Sequence, residues 1–433
     1  PSQPMRCISA RCSVAPRTVR PRAALPALCA PLRMAAPPAA APSVEPWGVC
    51  QRDGKEVQLL TLTSDAGSQL KVCTYGATLV SLLVPDALGR LDDILLGFDN
   101  LKAYEEHTTY IGCAVGRVCS RIGNAQFHIG NEVYRLPANN GAACHHGGTV
   151  AFNSYTWDVV ESTSTSVKLR HVSPHLDQGF PGKLTTIVEY ALLPTDGGGD
   201  ALSFSFNAVT DRNTVVNLTN HLYFNLAGIH GDMPQTMRDH VVAIAADSFI
   251  PTDEFNIPLG EYRDVTGTPF DFRSPTKIGA RIEADDGQLK IAAGYDHNYA
   301  LRDTHGGARG GRGGTRHLGL ELASDGRWTR KREADAIASD RTSGRSVEVY
   351  TEEPAVHFYS GNYLGNDPMG KGGVPIERRA GFCFEAQHFT NSPNQPAFPS
   401  VLLEPGERWE TRTVFWFPKP SAAGGLLSSC CCR

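Results

Sequence analysis

Polar and apolar residues alternate in Ser203-Phe204-Ser205-Phe206-Asn207-Ala208-Val209. Because successive side chains of a β-strand point to opposite faces, this period of two predicts a strand with one face in a core. Residues 186–193 are rich in β-branched residues, and Val414-Phe415-Trp416-Phe417 is an aromatic run. Turn signals recur from about residue 48 to 418, and no long amphipathic helix is present. The sequence therefore predicts an all-β sandwich or barrel of antiparallel strands.

The composition is that of an ordinary globular protein. Hydrophobic residues make up 41% and charged residues 20% of the 433 residues, which is sufficient for a large core. No run approaches the roughly 18 consecutive apolar residues of a membrane-spanning helix. A net charge of -4 gives no indication of a nucleic-acid partner. We therefore expect a small-molecule partner, and neither a membrane nor a nucleic acid.

The N-terminal segment differs from the rest of the chain in charge. Residues 1–44 contain six arginines and no acidic residue, so they carry +6 and leave -10 on the remaining chain. An Arg-rich, acid-free segment with Ala, Pro and Ser is typical of an organelle transit peptide, which would place the protein in a plastid or another organelle. The alternatives are a disordered tail, or a true start at Met5 or Met34, and then a cytoplasmic protein.

We expect one domain over residues 45–418, between a disordered segment of residues 1–44 and a C-terminal tail of residues 419–433. A low-complexity Arg/Gly run interrupts the strand pattern, and charged residues follow it. Arg/Gly repeats can contact RNA, but in a chain of net negative charge a surface insertion is the favoured interpretation. The sequence thus predicts a flexible insertion at about residues 303–345.

The twelve cysteines do not form a disulfide or metal-binding pattern. A chain with a full-sized core does not need disulfides. Cys113 and Cys119 lie in a Gly-rich run, and the Cys430-Cys431-Cys432 triplet has no His beside it, so neither matches a zinc motif. His145 and His146 are adjacent, and neighbours on a strand point to opposite faces, so they should not share one ion. We expect reduced, structural thiols and no metal.

Five short polar stretches are candidates for a functional site. Together they offer His, Arg, Asp and Glu side chains from separate parts of the chain, which is how a site on a β scaffold is usually assembled. In chain order they are Gly116-Arg117-Val118-Cys119-Ser120-Arg121-Ile122, Cys144-His145-His146-Gly147-Gly148, Asn217-Leu218-Thr219-Asn220-His221-Leu222-Tyr223-Phe224-Asn225-Leu226, Gly294-Tyr295-Asp296-His297-Asn298-Tyr299 and Phe382-Cys383-Phe384-Glu385-Ala386-Gln387-His388-Phe389.

Two of these stretches hold candidate proton-transfer groups. The imidazole of His221 titrates near neutral pH, and Asn220, Tyr223 and Asn225 beside it can orient it. A plain hydrogen-bonded strand histidine is the alternative. Glu385 stands in an otherwise apolar run, where partial burial would raise its pKa and make it a usable base. The alternative is a strand glutamate that faces water.

Three further residues suit hydrogen bonding to a sugar. Asp296 stands between Tyr295 and His297, so a carboxylate is combined with rings that can stack on a pyranose. Arg121 and His146 can donate to ring or hydroxyl oxygens. Turn-capping for the Asp and surface exposure for the Arg are the commoner roles of such residues.

In combination, the five stretches resemble the aldose 1-epimerase (galactose mutarotase) family. The hallmarks of that family include a Gly-Arg-x-x-x-Arg-Ile loop, a Leu-His-Gly-Gly-like turn, an Asn-x-Thr-Asn-His-x-Tyr-Phe-Asn-Leu strand, a Tyr-Asp-His-Asn segment and a Glu-x-Gln-His/Asn ending. All five occur here in that order, and the resemblance covers roughly residues 47–418. It implies a galactose mutarotase-like β-supersandwich of large antiparallel sheets, with a groove for one pyranose.

The resemblance also implies an isomerase and assigns roles to its residues. Glu385 would remove the proton of the anomeric hydroxyl, and His221 would protonate the ring oxygen, so that the ring opens and closes again as the other anomer. Asp296, Arg121 and His146 would hold sugar hydroxyls. No cofactor is implied. The partner would be a free aldohexose such as glucose or galactose, and we expect a monomer or weak dimer.

Two positions depart from the family pattern. Family members commonly carry Asn just before the loop arginine, where this chain has Ser120, and Gln where it has His357. Both positions adjoin the expected sugar site. Serine is shorter with fewer donors, whereas histidine is bulkier and can carry charge, so we expect affinity or sugar preference to differ.

Three other functions remain as alternatives. A non-catalytic carbohydrate-binding protein on the same scaffold would need the sugar-holding residues but not the acid and base. A glycoside hydrolase would use Asp296 and Glu385 as a carboxylate pair at a suitable separation. A hexose-6-phosphate 1-epimerase would need a basic phosphate pocket, and the sequence shows no clear one.

Overall fold

The computed structural model describes residues 41–107, 109–229, 236–302, 316–365 and 369–420. The helices are α1 (Leu101–Glu106) and α2 (Gly287–Ala292), with 3-10 turns at Gly123–Ala125, Phe152–Ser154, Asp177–Gly179, Asp196–Gly198, Ile278–Ala280, Lys371–Gly373 and Ser392–Asn394. The strands are β1 (Ser43–Val49), β2 (Glu56–Thr63), β3 (Gln69–Cys73), β4 (Thr78–Pro85), β5 (Leu91–Asp93), β6 (Ala114–Val115), β7 (Arg121–Ile122), β8 (Gln126–Ile129), β9 (Glu132–Arg135), β10 (Cys144–His145), β11 (Asp158–Ser162), β12 (Ser166–Ser173), β13 (Leu184–Pro194), β14 (Asp200–Thr210), β15 (Thr214–Val215), β16 (Thr219–Asn220), β17 (Val241–Ile244), β18 (Ala246–Phe249), β19 (Arg263–Asp264), β20 (Thr276–Lys277), β21 (Asp296–Leu301), β22 (Leu320–Leu322), β23 (Trp328–Arg330), β24 (Ala336–Ser339), β25 (Ser346–Thr351), β26 (Ala355–Tyr359), β27 (Cys383–Gln387), β28 (Leu402–Leu403) and β29 (Trp409–Phe417).

A nine-stranded antiparallel sheet contains the strands that the sequence pattern predicts. Its order is β11-β12-β13-β14-β29-β25-β24-β17-β20, so the alternating stretch in β14 lies between the β-branched β13 and the aromatic β29. Ser203 and Ser205, the polar residues of that alternation, are buried as well. The central strands of this sheet are therefore covered on both faces, and the expected all-β fold of large antiparallel sheets is confirmed.

A second sheet carries part of the polar residues singled out above. It has five strands in the order β19-β18-β21-β26-β27. One core contains Phe204 and Phe206 of β14 together with Phe358 of β26 and Phe384 of β27. Because side chains alternate along a strand, Glu385 then points away from that core. The packing of the two sheets thus supplies a rigid support behind β26 and β27.

The flexible insertion expected at 303–345 is not what the structure shows for residues 316–345. Strands β22 and β23 form a hairpin there, and β24 is an inner strand of the nine-stranded sheet. Leu318, Leu320 and Trp328 pack on the outer face of the central strands, against Tyr350 and Trp416. Sequence reasoning missed these apolar residues because charged residues surround them. Residues 303–315, with the Arg/Gly run, lie outside the described residues.

The two ends of the chain are described only in part. Strand β1 begins at Ser43, so the expected disordered segment 1–44 is too long by at least two residues. Residues 1–40 and 421–433, including the Cys430-Cys431-Cys432 triplet, lie outside the described residues. In the part that the structure describes, neither helix has the length and hydropathy of a transmembrane span.

Asp335 anchors the hairpin segment to the sheet. Its buried carboxylate accepts hydrogen bonds from Arg316 at 2.8 Å and from Arg332, and also from the backbone N–H of Thr351 at 2.9 Å. A buried carboxylate with three charged or polar donors is stabilised relative to one left alone, and its removal breaks the ion pairs with Arg316 and Arg332.

We predict that Asp335→Ala lowers the free energy of unfolding by about 3–5 kcal/mol, because it removes the carboxylate that pairs with two largely buried guanidinium groups. Urea denaturation followed by tryptophan fluorescence measures this. Asp325→Ala, in the exposed turn between β22 and β23, is the matched control and should change stability by less than about 0.5 kcal/mol. Equal effects of the two substitutions would contradict the anchoring role.

Candidate active site

One cavity of about 700 Å³ gathers the residues that the sequence singled out. Its walls come from β7, β10, β21, β26 and β27, and from the residue that follows β16. The seven site residues named from the sequence all line it: Ser120, Arg121, His146, His221, Asp296, His357 and Glu385. Side chains separated by up to about 265 positions in the chain thus meet at one surface.

Two chain segments hold the expected acid and base side by side. The hydroxyl of Thr219 donates to the carbonyl oxygen of Ala386 at 2.9 Å. Five residues further on, Phe224 and Phe382 exchange two backbone hydrogen bonds of 2.7 and 3.0 Å. These contacts bracket the two functional side chains, and backbone hydrogen bonds to residues 112 and 113 fix His221 from its other side. Their spacing is therefore set by main-chain geometry.

The resulting pair is close and buried. Nε2 of His221 lies 3.9 Å from Oε1 of Glu385, and the two side chains are 6% and 2% exposed. Burial raises the pKa of Glu385 to about 7, helped by the charge of Asp296 and opposed by His357 and Arg121. Burial also lowers the pKa of His221 to about 3. Near neutral pH, His221 is therefore neutral and Glu385 is poised between its two protonation states.

Cys383 and Tyr223 orient the imidazole of His221. The Cys383 sulfur lies 3.5 Å from Nδ1 of His221, and the ring of Tyr223 stacks on the imidazole at 4.8 Å with an interplanar angle of 13°. Burial raises the pKa of the Cys383 thiol well above its ordinary value. The thiol therefore keeps its hydrogen and can donate it to Nδ1, which leaves the ring hydrogen on Nε2.

His221, Cys383 and Glu385 also place possible metal-ligand atoms within 4.8 Å of one another. Metal binding would need the thiolate of Cys383 and the carboxylate of Glu385. The burial that raises the pKa of both groups opposes those forms. The chemistry of this donor set favours proton transfer over metal binding.

The two arginines of the Gly-Arg-x-x-x-Arg loop have different tasks. Arg117 is buried and donates to the backbone carbonyls of Ser173, Pro174 and Pro181 at 2.7–2.9 Å, so it fixes the loop. Arg121 instead faces the cavity, with its NH1 3.9 Å from a carboxylate oxygen of Asp296. Only the second arginine is in a position to contact a ligand.

The His145–His146 pair corrects one premise of the sequence analysis. Strand β10 ends at His145, and His146 has a φ of 48°, in the left-handed region. Both rings therefore face the cavity, with centroids 3.8 Å apart. Nδ1 of His146 accepts the backbone N–H of Ser120 at 3.2 Å, which leaves its ring hydrogen on Nε2. The next position, 147, requires glycine, because a Cβ atom there would lie 2.0 Å from the carbonyl oxygen of Gly116.

Asp296 is in the cavity, but its two neighbours are not. Tyr295 is fully buried in the core, and His297 packs on Phe249 and Phe270. The expectation that these rings stack on a pyranose is wrong for Tyr295 and His297, because alternate residues of a strand face opposite sides. Asp296 accepts a hydrogen bond of 2.7 Å from Nε2 of His357.

Several lining residues escaped the sequence analysis. They include His107, Tyr110, Tyr359 and Tyr363. Tyr110 has a φ of 57°, as unusual as those of Ser120 and His146. Such backbone conformations are strained and persist only where the surrounding structure stabilises them, and they cluster at functional sites. No local sequence pattern predicts them. The aromatic rings give the cavity apolar surface beside its charged groups, a combination that suits sugar binding.

Comparison with known proteins agrees with this geometry. A family model for aldose 1-epimerase matches residues 58–416. A galactose mutarotase from Bos taurus is 37% identical over 83% of this chain and 94% of its own length. An aldose 1-epimerase from Escherichia coli (strain K12) is 34% identical, over 84% of this chain and 96% of its own. The crystal structure of a galactose 1-epimerase from Lactobacillus acidophilus NCFM has 26% identity and a TM-score of 0.70, and covers 89% of this chain and 100% of that one. This chain belongs to the aldose 1-epimerase family.

Proposed function

We propose that this protein interconverts the α and β anomers of a free aldohexose such as glucose or galactose, with Glu385 as base and His221 as acid. The observation that carries the proposal is the 3.9 Å separation of His221 Nε2 and Glu385 Oε1 within one cavity. The relatives named galactose mutarotase and aldose 1-epimerase support the same reaction and the same class of sugar.

The spacing of the pair matches the chemistry of a cyclic sugar. The anomeric hydroxyl oxygen and the ring oxygen are bonded to the same carbon, so a base at one and an acid at the other must be neighbours. Oε2 of Glu385 has no hydrogen-bond partner among the described residues. A buried carboxylate oxygen without a partner is costly, and a sugar hydroxyl can satisfy it.

The reaction follows from these positions. Glu385 takes the proton of the anomeric hydroxyl, and the electron pair left on that oxygen forms the aldehyde C=O bond. The bond between the anomeric carbon and the ring oxygen breaks, its electron pair stays on the ring oxygen, and that oxygen takes the Nε2 hydrogen of His221. Rotation about the bond beside the aldehyde presents its other face. Ring closure then reverses both transfers and restores both groups.

A neutral histidine suits the acid role here. With its pKa lowered to about 3, His221 is uncharged when Glu385 is ionised. A neutral imidazole N–H can polarise an oxygen on which negative charge develops, and passing its hydrogen to the ring oxygen leaves His221 as an imidazolate until ring closure returns the proton. The Cys383 thiol at Nδ1 keeps that hydrogen on Nε2, the nitrogen nearer Glu385.

Five further residues would bind the sugar hydroxyls. Arg121 and His146 offer N–H donors, and Asp296 offers a carboxylate oxygen to the cavity. Ser120 is held by Gln387, whose Nε2 donates to the serine hydroxyl at 3.2 Å, and His357 keeps an unpartnered Nδ1 among the described residues. A small-molecule aldohexose is thus the proposed partner.

Two expectations about the whole protein remain proposals. The arginine-rich composition of residues 1–44 supports import into a plastid or another organelle, with a cytoplasmic protein as the alternative. We also propose that the protein functions as a monomer or weak dimer.

We predict that the purified protein accelerates the change in optical rotation of freshly dissolved α-D-glucose and α-D-galactose. Polarimetry at pH 7.5 or so, where uncatalysed exchange is slow, measures it. A trace identical to that of buffer for every aldose tested would eliminate the enzymatic function and leave a sugar-binding role. Release of reducing sugar from a glycoside would instead indicate hydrolysis.

Glu385→Gln and His221→Asn should each lower kcat by about 10²- to 10⁴-fold, because each removes one positioned proton-transfer group. KM should change little, since the hydroxyl-binding residues stay in place. Glu56→Gln and His128→Asn, which make the same chemical changes at exposed positions, are the controls. If either cavity variant kept wild-type kcat, the assigned role of that residue would be wrong.

The poised carboxylate also has a cost in stability. A carboxyl group whose pKa rises from 4.5 to about 7 on folding favours the folded state below pH 4.5, and this contribution is lost as the pH rises through 7. We therefore compare the unfolding free energies of Glu385→Gln and the wild type at two pH values. We predict that the difference between them grows by roughly 2–3 kcal/mol, in favour of the variant, when the pH is raised from 5 to 8. Urea denaturation at both pH values measures the difference. A difference that does not change with pH would refute it.

A further inference from the structure

His357 lies between the two carboxylates of the cavity. In the antiparallel pairing of β26 with β27, His357 stands directly opposite Glu385. Side chains at directly opposed positions lie on the same face of the sheet, with Cβ atoms about 4.5–5.5 Å apart. On its other side, Nε2 of His357 is 2.7 Å from Oδ1 of Asp296 on β21. The three residues therefore form a carboxylate–imidazole–carboxylate row across three neighbouring strands.

The surroundings of this row favour a protonated imidazole. Asp296 and His357 are both more than 90% buried, and a buried carboxylate requires a cation or strong donors close to it. Arg121, the other cation near Asp296, is 3.9 Å away, so His357 is the direct partner. Burial alone lowers the pKa of His357, but its bond to Asp296 and that carboxylate's charge outweigh burial and raise the pKa above the ordinary value.

Other titratable groups also face this row of three residues. They include Arg121 on β7, His145 and His146 at the end of β10, His221 after β16, and His297 on β21. Burial raises the pKa of the other titratable groups there, so they stay neutral: Cys113, Cys119, Cys383, Tyr359 and Tyr363. Burial lowers the pKa of each of these four histidines, so they are neutral near pH 7. The net charge facing Glu385 then comes from Asp296, Arg121 and His357.

We propose that His357 is a positioning residue whose imidazolium binds Asp296 and increases the ionised fraction of Glu385 at neutral pH, so that this chain's base works at a lower pH than the cavity would otherwise allow. The proposal rests on the proposed function for its kinetic consequence. It goes beyond sugar binding, because His357 acts through a second protein group and not only on the ligand.

Removal of the charge has a defined sign. Without the imidazolium, burial and the charge of Asp296 both act to raise the pKa of Glu385, and Arg121 alone opposes them. His357→Gln keeps a side chain that can donate to Asp296 but carries no charge. The acidic limb of the kcat/KM–pH profile reports the ionisation of the free enzyme, so it should move to higher pH.

The test compares pH profiles of kcat/KM from pH 5 to 9. For His357→Gln we expect the acidic midpoint to rise by about one pH unit or more, so that kcat/KM at pH 6, expressed relative to each enzyme's own alkaline plateau, is about tenfold lower than that of the wild type. His146→Gln is the matched control: it alters the same cavity but removes a neutral ring, so its midpoint should stay at the wild-type value whatever its effect on KM. A His357→Gln midpoint equal to that of wild type would overturn the proposal.

A second measurement tests the charge without catalysis. In the wild-type protein, the imidazole C–H signals of His357, assigned by their loss in His357→Gln, should titrate by NMR above pH 6.5, and Asp296→Asn should lower that midpoint. Titration of His357 below pH 6.5 in the wild type would overturn the proposal even if the variants are inactive. If the wild-type protein showed no mutarotation, the proposed function would be wrong, but the NMR titration would still show whether His357 is charged.

Discussion

The candidate active site depends on one physical constraint, which is the burial of the ionisable carboxylate of Glu385 beside His221. Glu385 is 2% exposed, and a charge in that position is expensive unless nearby groups compensate for it. The molecule places Asp296, His357 and Arg121 around it, so the charged form is neither excluded nor fully stabilised. The backbone contacts that tie residues 219–224 to residues 382–386 then hold His221 at a fixed distance from this carboxylate.

Rigid support around the pair comes from the sheets and from buried polar anchors. Phe358 and Phe384 pack into the core behind the cavity, so the strands that carry His357 and Glu385 cannot shift independently. Arg117 fixes the loop that ends in Arg121 through three backbone carbonyls. Residues in left-handed conformations, such as Ser120 and His146, are tolerated because such anchors surround them. An acid and a base kept in place by main-chain geometry need little reorganisation during a proton transfer.

Sequence reasoning failed where local rules meet tertiary context. The sequence predicts a loop for the hairpin of β22 and β23 because its apolar residues are few and scattered among charges, yet Trp328 and Leu320 pack on the outer face of the sheet. The strand rule predicts opposite directions for His145 and His146, but it does not apply beyond the last strand residue, His145. The same alternation turns Tyr295 and His297 into the core when Asp296 faces the cavity, which contradicts the prediction that their rings contact a sugar.

By itself, the sequence determined that the chain is built of antiparallel strands, since the period of two in residues 203–209 has no helical equivalent. It also determined the family and the residue types available for chemistry, since five motifs in fixed order identify them. Only the tertiary structure decided that His221 and Glu385 are 3.9 Å apart, and that His357 lies opposite Glu385 and bonds to Asp296. The physical reason is that pKa values and proton-transfer distances depend on burial and on charges brought together across strands, which no local pattern encodes.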